Sequence, residues 1–196
     1  MNNENKKGLL IILSGPSGVG KETVRTRLMK IKKFELIYSI SMTTRKPRNQ
    51  EVDGVNYYFV TQEEFKKNIE NDNFLEYAKF VGNYYGTPKD KVEALRNAGH
   101  NVLLEIEING AKQVMSRVHD DAVLSFFLMP PSLDSLEDRI RKRQTETEEV
   151  IAERLAKGKE EMTMTADYDY VILNDKVNRA AKEIADLITR KLKELK

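Results

Sequence analysis

The chain has 196 residues, 40% of them hydrophobic and 33% charged, which suits one globular domain with insertions and excludes a disordered chain. Lysine and arginine number 33 against 31 aspartates and glutamates, and a net charge of +2 speaks against a general nucleic-acid or membrane-surface binder. There is no cysteine, so disulfides, thiolate metal sites and cysteine nucleophiles are ruled out.

The first predicted element is the apolar run Leu9-Leu-Ile-Ile-Leu13, which ends at Ser14-Gly15. Unalternated and closed by glycine, it reads as a strand buried on both faces of a parallel sheet. It is far shorter than the ~20 residues that span a bilayer. Lys6 and Lys7 precede it as in a signal peptide, but no small-residue cleavage site follows, so the cytoplasm is the expected location. A helix is predicted over 21–33 from the spacing of Val24, Leu28, Met29 and Ile31. From Tyr38 to about Lys91, short aromatic-rich runs are punctuated by Pro47, Gly54, Gly82 and Gly86, which suggests a small mixed or antiparallel insertion. Within it, Thr61-Gln-Glu-Glu64 has the form of a capping box opening a short helix. Buried strands are predicted over 102–107 and 122–129. The segment 132–162 is strongly charged, and Thr145-Glu-Thr-Glu148, a second capping-box candidate, divides it into two helices. A strand over 169–173 and a helix over about 178–195 complete the chain. Buried strands separated by helices imply an α/β architecture with right-handed crossovers.

Gly15-Pro16-Ser17-Gly18-Val19-Gly20-Lys21 fits the phosphate-loop pattern G-x-x-x-x-G-K. Glycines let successive backbone N–H groups turn inward around phosphate oxygens, and the helix that follows adds its N-terminal amides. Lys21 supplies a cation for the β- and γ-phosphates. The Ser/Thr that usually follows the lysine, and usually contacts Mg²⁺, is replaced by Glu22, with Thr23 next. Either Thr23 substitutes or the ion is held by water and other acids. The Glu22 side chain is expected to point to solvent.

Ser39-Ile-Ser41-Met-Thr-Thr-Arg45-Lys-Pro-Arg48, followed by Glu51-Val-Asp-Gly-Val-Asn-Tyr57-Tyr-Phe59, strongly resembles the substrate-binding segment of guanylate kinases. Three further blocks agree in order and spacing: Phe74-Leu-Glu76 through Tyr85-Gly86-Thr87, Leu104-Glu105-Ile-Glu107-Ile-Asn-Gly110, and Arg143-Gln-Thr-Glu-Thr-Glu-Glu149. The likeness covers essentially the whole chain. It implies a parallel-sheet phosphate-loop core with helices on both faces (about 6–38, 92–131 and 163–196), a GMP-binding insertion over about 39–91 and a helical lid over about 132–162.

The resemblance also implies roles. Arg45 and Arg48, with the hydroxyls of Tyr57 and Tyr85, hold the acceptor phosphate, a task that suits planar guanidinium forks. Glu76 reads guanine, whose ring N–H and exocyclic amine one carboxylate accepts together, and Ser41, Gly86 and Thr87 complete that GMP site. Glu105 and Glu107, two apart on a predicted strand and therefore on one face, are expected near Mg²⁺ or substrate. Many family members have aspartate where Glu107 stands, which leaves open whether it touches guanine, Mg²⁺ through water, or neither. Arg139, Arg143 and Arg154 are lid arginines that cover ATP and the phosphoryl group in transit, Arg139 and Arg143 sharing a helix face. Gln144 stands where glycine is usual. Asn174 resembles a family residue near the adenine. With Lys21, Arg48, Arg143 and Arg154 as the catalytic set, the expected reaction is direct in-line transfer from ATP to GMP with Mg²⁺, recycling GMP or dGMP in purine metabolism. The expected partners are these small molecules, with no nucleic acid and no membrane. Two alternatives compete, a non-catalytic interaction module of the same fold and a kinase for another small phosphate ester.

Overall fold

The computed structural model describes residues 6–142 and 147–195. The chain opens with β1 (Leu10–Ser14), α1 (Lys21–Met29) and β2 (Ile37–Tyr38). Then come β3 (Met42–Thr43), β4 (Tyr58–Phe59), α2 (Gln62–Glu70), β5 (Phe74–Phe80), β6 (Asn83–Pro88) and α3 (Lys89–Asn97). It returns to β7 (Val102–Glu105), α4 (Ile108–Arg117) and β8 (Val123–Met129). The helical pair α5 (Leu133–Arg141) and α6 (Glu148–Glu161) precedes β9 (Tyr170–Leu173) and α7 (Val177–Glu194).

Five strands form an all-parallel sheet in the order β2-β7-β1-β8-β9. β1 is central, with Ile12 opposite Leu104 on one side and Ser125 on the other. Leu9, Ile11 and Leu13 pack with Val24 and Leu28 of α1 and Ile184 and Ile188 of α7. Leu10 and Ile12 pack oppositely, with Val92 of α3 and Ala111 and Val114 of α4. Each face of the strand meets its own helix layer, which is why the run shows no polar alternation. The architecture is the expected α/β one.

Two boundaries and the exposure of one strand differ from expectation. α1 stops at Met29, and Lys32–Phe34 forms a separate 3-10 turn after Ile31 leaves helical dihedrals (ψ 89°); this turns Phe34 into the core. β7 ends at Glu105, and Glu107 is instead the N-cap of α4, because the chain must leave the sheet there to begin its crossover. β9 is an edge strand, so Val171 and Leu173 remain exposed.

The second sheet is mixed, in the order β4-β3-β6-β5. The Thr61 capping box forms: the Glu64 amide donates to Thr61 Oγ1 at 3.1 Å and the Thr61 amide to Glu64 Oε2 at 2.8 Å. It launches α2, whose Phe65 stacks on Phe74 and Tyr84 with centroids 4.4 and 5.3 Å apart. In the second candidate capping box, α6 begins after Thr147; Thr145 lies outside the described residues, as do Arg143, Gln144 and Glu146. No helix among the described residues is long and apolar enough to cross a membrane.

At the β5–β6 hairpin tip, Val81 and Gly82 both have positive φ, 45° and 77°. A two-residue turn of this hand favours Asn-Gly, and a β-branched side chain is strained there. Val81 is also 80% exposed, so no packing offsets the strain. Val81→Asn is expected to stabilise the protein by about 0.5–1 kcal/mol, seen as a rise of roughly 1–4 °C in melting temperature.

Candidate active site

The phosphate loop leaves the C-terminal end of β1, where the neighbouring strands β7 and β8 diverge to either side, the crevice in which such sheets bind ligands. Gly15 sits at φ 142°, and a Cβ there would lie 2.4 Å from the Leu128 carbonyl oxygen. Gly20, at φ 99°, is the N-cap of α1, so the loop amides and the helix N-terminus face one cavity of about 350 Å³. Lys21 folds over the loop, its Nζ donating to the carbonyls of Gly15 (2.6 Å) and Pro16 (3.1 Å). Burial lowers the Lys21 pKa, opposed by the carboxylates of Glu105, Glu161 and Glu107. Thr23 lines the same cavity, and Glu22 is largely solvent-exposed, as expected.

The helical pair reaches this loop from two sides. Arg154 donates to Ser17 Oγ at 2.7 Å. Arg139 donates to the carbonyls of Val19 (2.8 Å) and Asn174 (2.6 Å), while Asn174 Nδ2 donates to Val19 at 2.8 Å. Asn174 is buried, so in this structure Arg139 and Asn174 brace the loop from behind. Arg143 is outside the described residues. Glu161, a buried acid at the end of α6, accepts from the Ser17 amide at 3.4 Å and escaped the sequence reading. Its i, i+4 relation to Lys157, 3.5 Å away, is the pattern that marks it.

A second cavity, of about 1,070 Å³, opens between the two sheets. Ser41, Tyr57, Glu76 and Tyr85 line it, together with Glu105 and Glu107. Glu76 on β5 stands opposite Thr87 on β6, and Thr87 Oγ1 donates to Glu76 Oε1 at 2.6 Å. Burial pushes the Glu76 pKa up to about 7, against the hydrogen bonds from Thr87. Gly86 pairs with Tyr77 across the hairpin, and a Cβ there would meet the Phe74 ring at 2.9 Å and the Glu76 carbonyl oxygen at 3.0 Å.

Arg45 is gripped by Glu51 through two parallel bonds of 2.9 Å, and its guanidinium lies 5.4 Å from the Tyr57 ring centre. Tyr57 and Tyr85 meet edge to face, 6.1 Å apart. The Arg48 amide also donates to Glu51, at 2.7 Å, and the Arg48 side chain is exposed. Hydrogen bonds from Arg45 and Arg48 hold Glu51 below the usual carboxylate range. Glu51 thus orders the arginine loop, a part the sequence reading left unassigned.

Glu105 and Glu107 do not share a strand face. Glu105 is half-buried on β7, Glu107 mostly exposed at the start of α4, 3.8 Å from Lys157. Both still border the two cavities. Arg25, four residues after Lys21 on α1, places Nε 3.3 Å from Glu105 Oε2 and its guanidinium 4.3 Å from the Tyr38 ring centre. Burial raises the Glu105 pKa, with Arg25 and Lys21 opposing. Glu105 Oε2 is nonetheless buried without a hydrogen-bond partner. Among the described residues no group of three acids or histidines could hold a metal alone. Mg²⁺ needs only one or two carboxylates when substrate phosphates supply the rest, so Glu105 and the Thr23 hydroxyl fit that ion.

Known proteins resemble the chain along nearly all of its length. The family model described as guanylate kinase matches residues 7–191. The chain is 54% identical over 183 residues to the guanylate kinase of Mycoplasma capricolum subsp. capricolum, covering 93% of this chain and 61% of that one. To the guanylate kinase of Onion yellows phytoplasma it is 50% identical, covering 94% of this chain and 86% of that one. The chain thus spans about three fifths of the length of the Mycoplasma relative and more of the phytoplasma one. The crystal structure of guanylate kinase from Anaplasma phagocytophilum superposes with a TM-score of 0.73 at 31% identity, covering 95% of this chain and 87% of that one. With the family model matching nearly the whole length and a relative half identical over most of both chains, the chain belongs to the guanylate kinase family.

Proposed function

We propose that the chain transfers the γ-phosphoryl group of ATP to GMP, giving ADP and GDP, with Mg²⁺ and in the cytoplasm. The observation that carries this reading is the shared wall: Glu22, Glu105, Ile106 and Glu107 border both the phosphate-loop cavity and the cavity around Glu76. Two anionic ligands seated in the two cavities meet end to end, as in-line transfer requires. Lys21 and the loop amides hold the donor phosphates. Arg45, Arg48, Tyr57 and Tyr85 hold the acceptor phosphate, and Glu76, Ser41, Gly86 and Thr87 hold the base. Arg154, with Arg143, neutralises charge on the group in transit, while Arg139 and Asn174 brace the loop on the ATP side. The acceptor oxygen of GMP is already anionic, so no general base is required. Mg²⁺, held through Glu105 and Thr23, would supply charge neutralisation on the donor phosphates. We read segment 39–91 as the acceptor-binding unit and 132–162 as a lid whose Arg154 contact with Ser17 helps exclude water.

A coupled assay with GMP, AMP, dTMP and UMP as acceptors tests the reading. Turnover is expected with GMP far above the others. Comparable rates with AMP, or none with any acceptor, would overturn it.

The elevated pKa of Glu76 makes GMP binding pH-dependent. Guanine needs the ionised carboxylate, and with a pKa of about 7 the free protein must lose a proton first. Between pH 8 and pH 6 the ionised fraction falls about tenfold, so KM for GMP is expected to rise by that factor. The GMP phosphate also titrates near pH ~6, and Glu76→Gln separates the two by abolishing the Glu76 contribution alone. For the free fold the sign is opposite. Because the folded pKa lies above the ordinary 4.5, stability present at low pH is lost as pH rises through about 7.

A further inference from the structure

Gly110 is the third residue of α4 and is buried. It is not among the glycines with positive φ, so its backbone is open to any residue. Alanine is the better helix former at such a position, and propensity therefore gives no reason for glycine. Space does. A Cβ built at 110 would find as its three nearest neighbours atoms of one side chain, Glu76: Oε2 at 2.7 Å, Cδ at 3.2 Å and Cγ at 3.3 Å.

Neither partner steps aside without cost. The other carboxylate oxygen of Glu76 is fixed by Thr87 Oγ1 at 2.6 Å, so rotation away from α4 breaks that bond. α4 is clamped to β5 on the same face, three and seven residues on. Gln113 exchanges two hydrogen bonds with the Tyr77 backbone (3.2 and 3.1 Å), and Arg117 donates to the Phe74 carbonyl at 2.8 Å. Strand, helix and carboxylate thus meet at a point where only a hydrogen atom fits.

We infer that Gly110 is a positioning residue for base selection: its missing side chain lets the Glu76 carboxylate lie against α4 with Oε2 placed for a purine bearing a 2-amino group beside a 6-oxo ring. This rests on the reading of Glu76 as the guanine-binding group. A methyl at 110 displaces the carboxylate by roughly 0.7 Å from the present 2.7 Å contact, enough to spoil a two-bond alignment.

The test is Gly110→Ala, assayed with GMP and with IMP, which lacks the 2-amino group, alongside KM for ATP and the melting temperature. Expected are a loss of about tenfold in kcat/KM for GMP, a smaller GMP-to-IMP preference, an unchanged KM for ATP, and a melting temperature lowered by no more than about 5 °C. Combining it with Glu76→Asp, which shortens the side chain and leaves room for the methyl, is expected to cost less than the product of the two single losses. Wild-type GMP kinetics and GMP-to-IMP preference in Gly110→Ala would overturn the proposal. So would equal losses for ATP and GMP with a melting temperature lowered by more than about 5 °C, which assigns the glycine to packing alone. Glu76→Gln separates the two levels: if it leaves GMP kinetics intact the reading of Glu76 fails, whereas if it impairs GMP and Gly110→Ala does not, only the role of Gly110 fails.

Discussion

Lys21→Ala is expected to lower kcat at least ~100-fold while leaving the fold intact. The side chain contributes nothing to the apolar layers. Its Nζ is spent on two carbonyls of its own loop, Gly15 and Pro16, which can be rehydrated when the ammonium is removed. What cannot be replaced is a cation held inside the loop cavity among Glu105, Glu161 and Glu107. With the ammonium gone, Arg25 and Lys157 are left to offset those acids, and the acids' repulsion of the donor phosphates adds to the lost attraction. Turnover and far-UV circular dichroism together check this. Turnover within tenfold of the parent would contradict the role, and a lost helical signal would show that the residue holds the fold.

Glu76→Gln is expected to raise KM for GMP by about 100-fold and to leave KM for ATP within about twofold. Thr87 fixes the outcome. Its hydroxyl donates to Oε1, so the amide oxygen of a glutamine takes that place and its NH₂ takes the place of Oε2. A donor then confronts the donors of guanine, and buried unpaired N–H groups are costly. Equal losses for ATP and GMP would remove Glu76 from base recognition. Steady-state kinetics with each substrate varied in turn distinguishes these outcomes.

Both residues differ in how they could be seen beforehand. The β1 run and the loop around Lys21 are legible from residue types alone, because a doubly buried strand drops its alternation and a phosphate cradle demands glycine at positive φ. Glu76 is not legible that way. On its own it looks like a surface acid, and only family resemblance singled it out; its burial comes from a register that sets Thr87 opposite and a helix close behind. Glu107 was misplaced for a related reason. Period-two spacing continues past Glu105, but nothing in it marks where a strand yields to a helix cap. Glu51 and Glu161 sit in charged segments where acids usually face water, and their partners, the Arg45 fork and the Ser17 amide, are fixed by loop and helix packing. Arg139 and Asn174 were singled out for nucleotide contact, yet the hydrogen bonds to Val19 and Asn174 backbone oxygens emerge only when three distant segments are brought together.

The stretch from Glu105 to Glu107, together with Glu22, lines both cavities at once. A substitution in such a common lining is felt in both cavities, so neither can be altered there alone. Changing which ligand one cavity accepts is therefore better attempted at residues that line it alone, on the hairpin of the smaller sheet or along the helices beyond the loop, than at these shared positions.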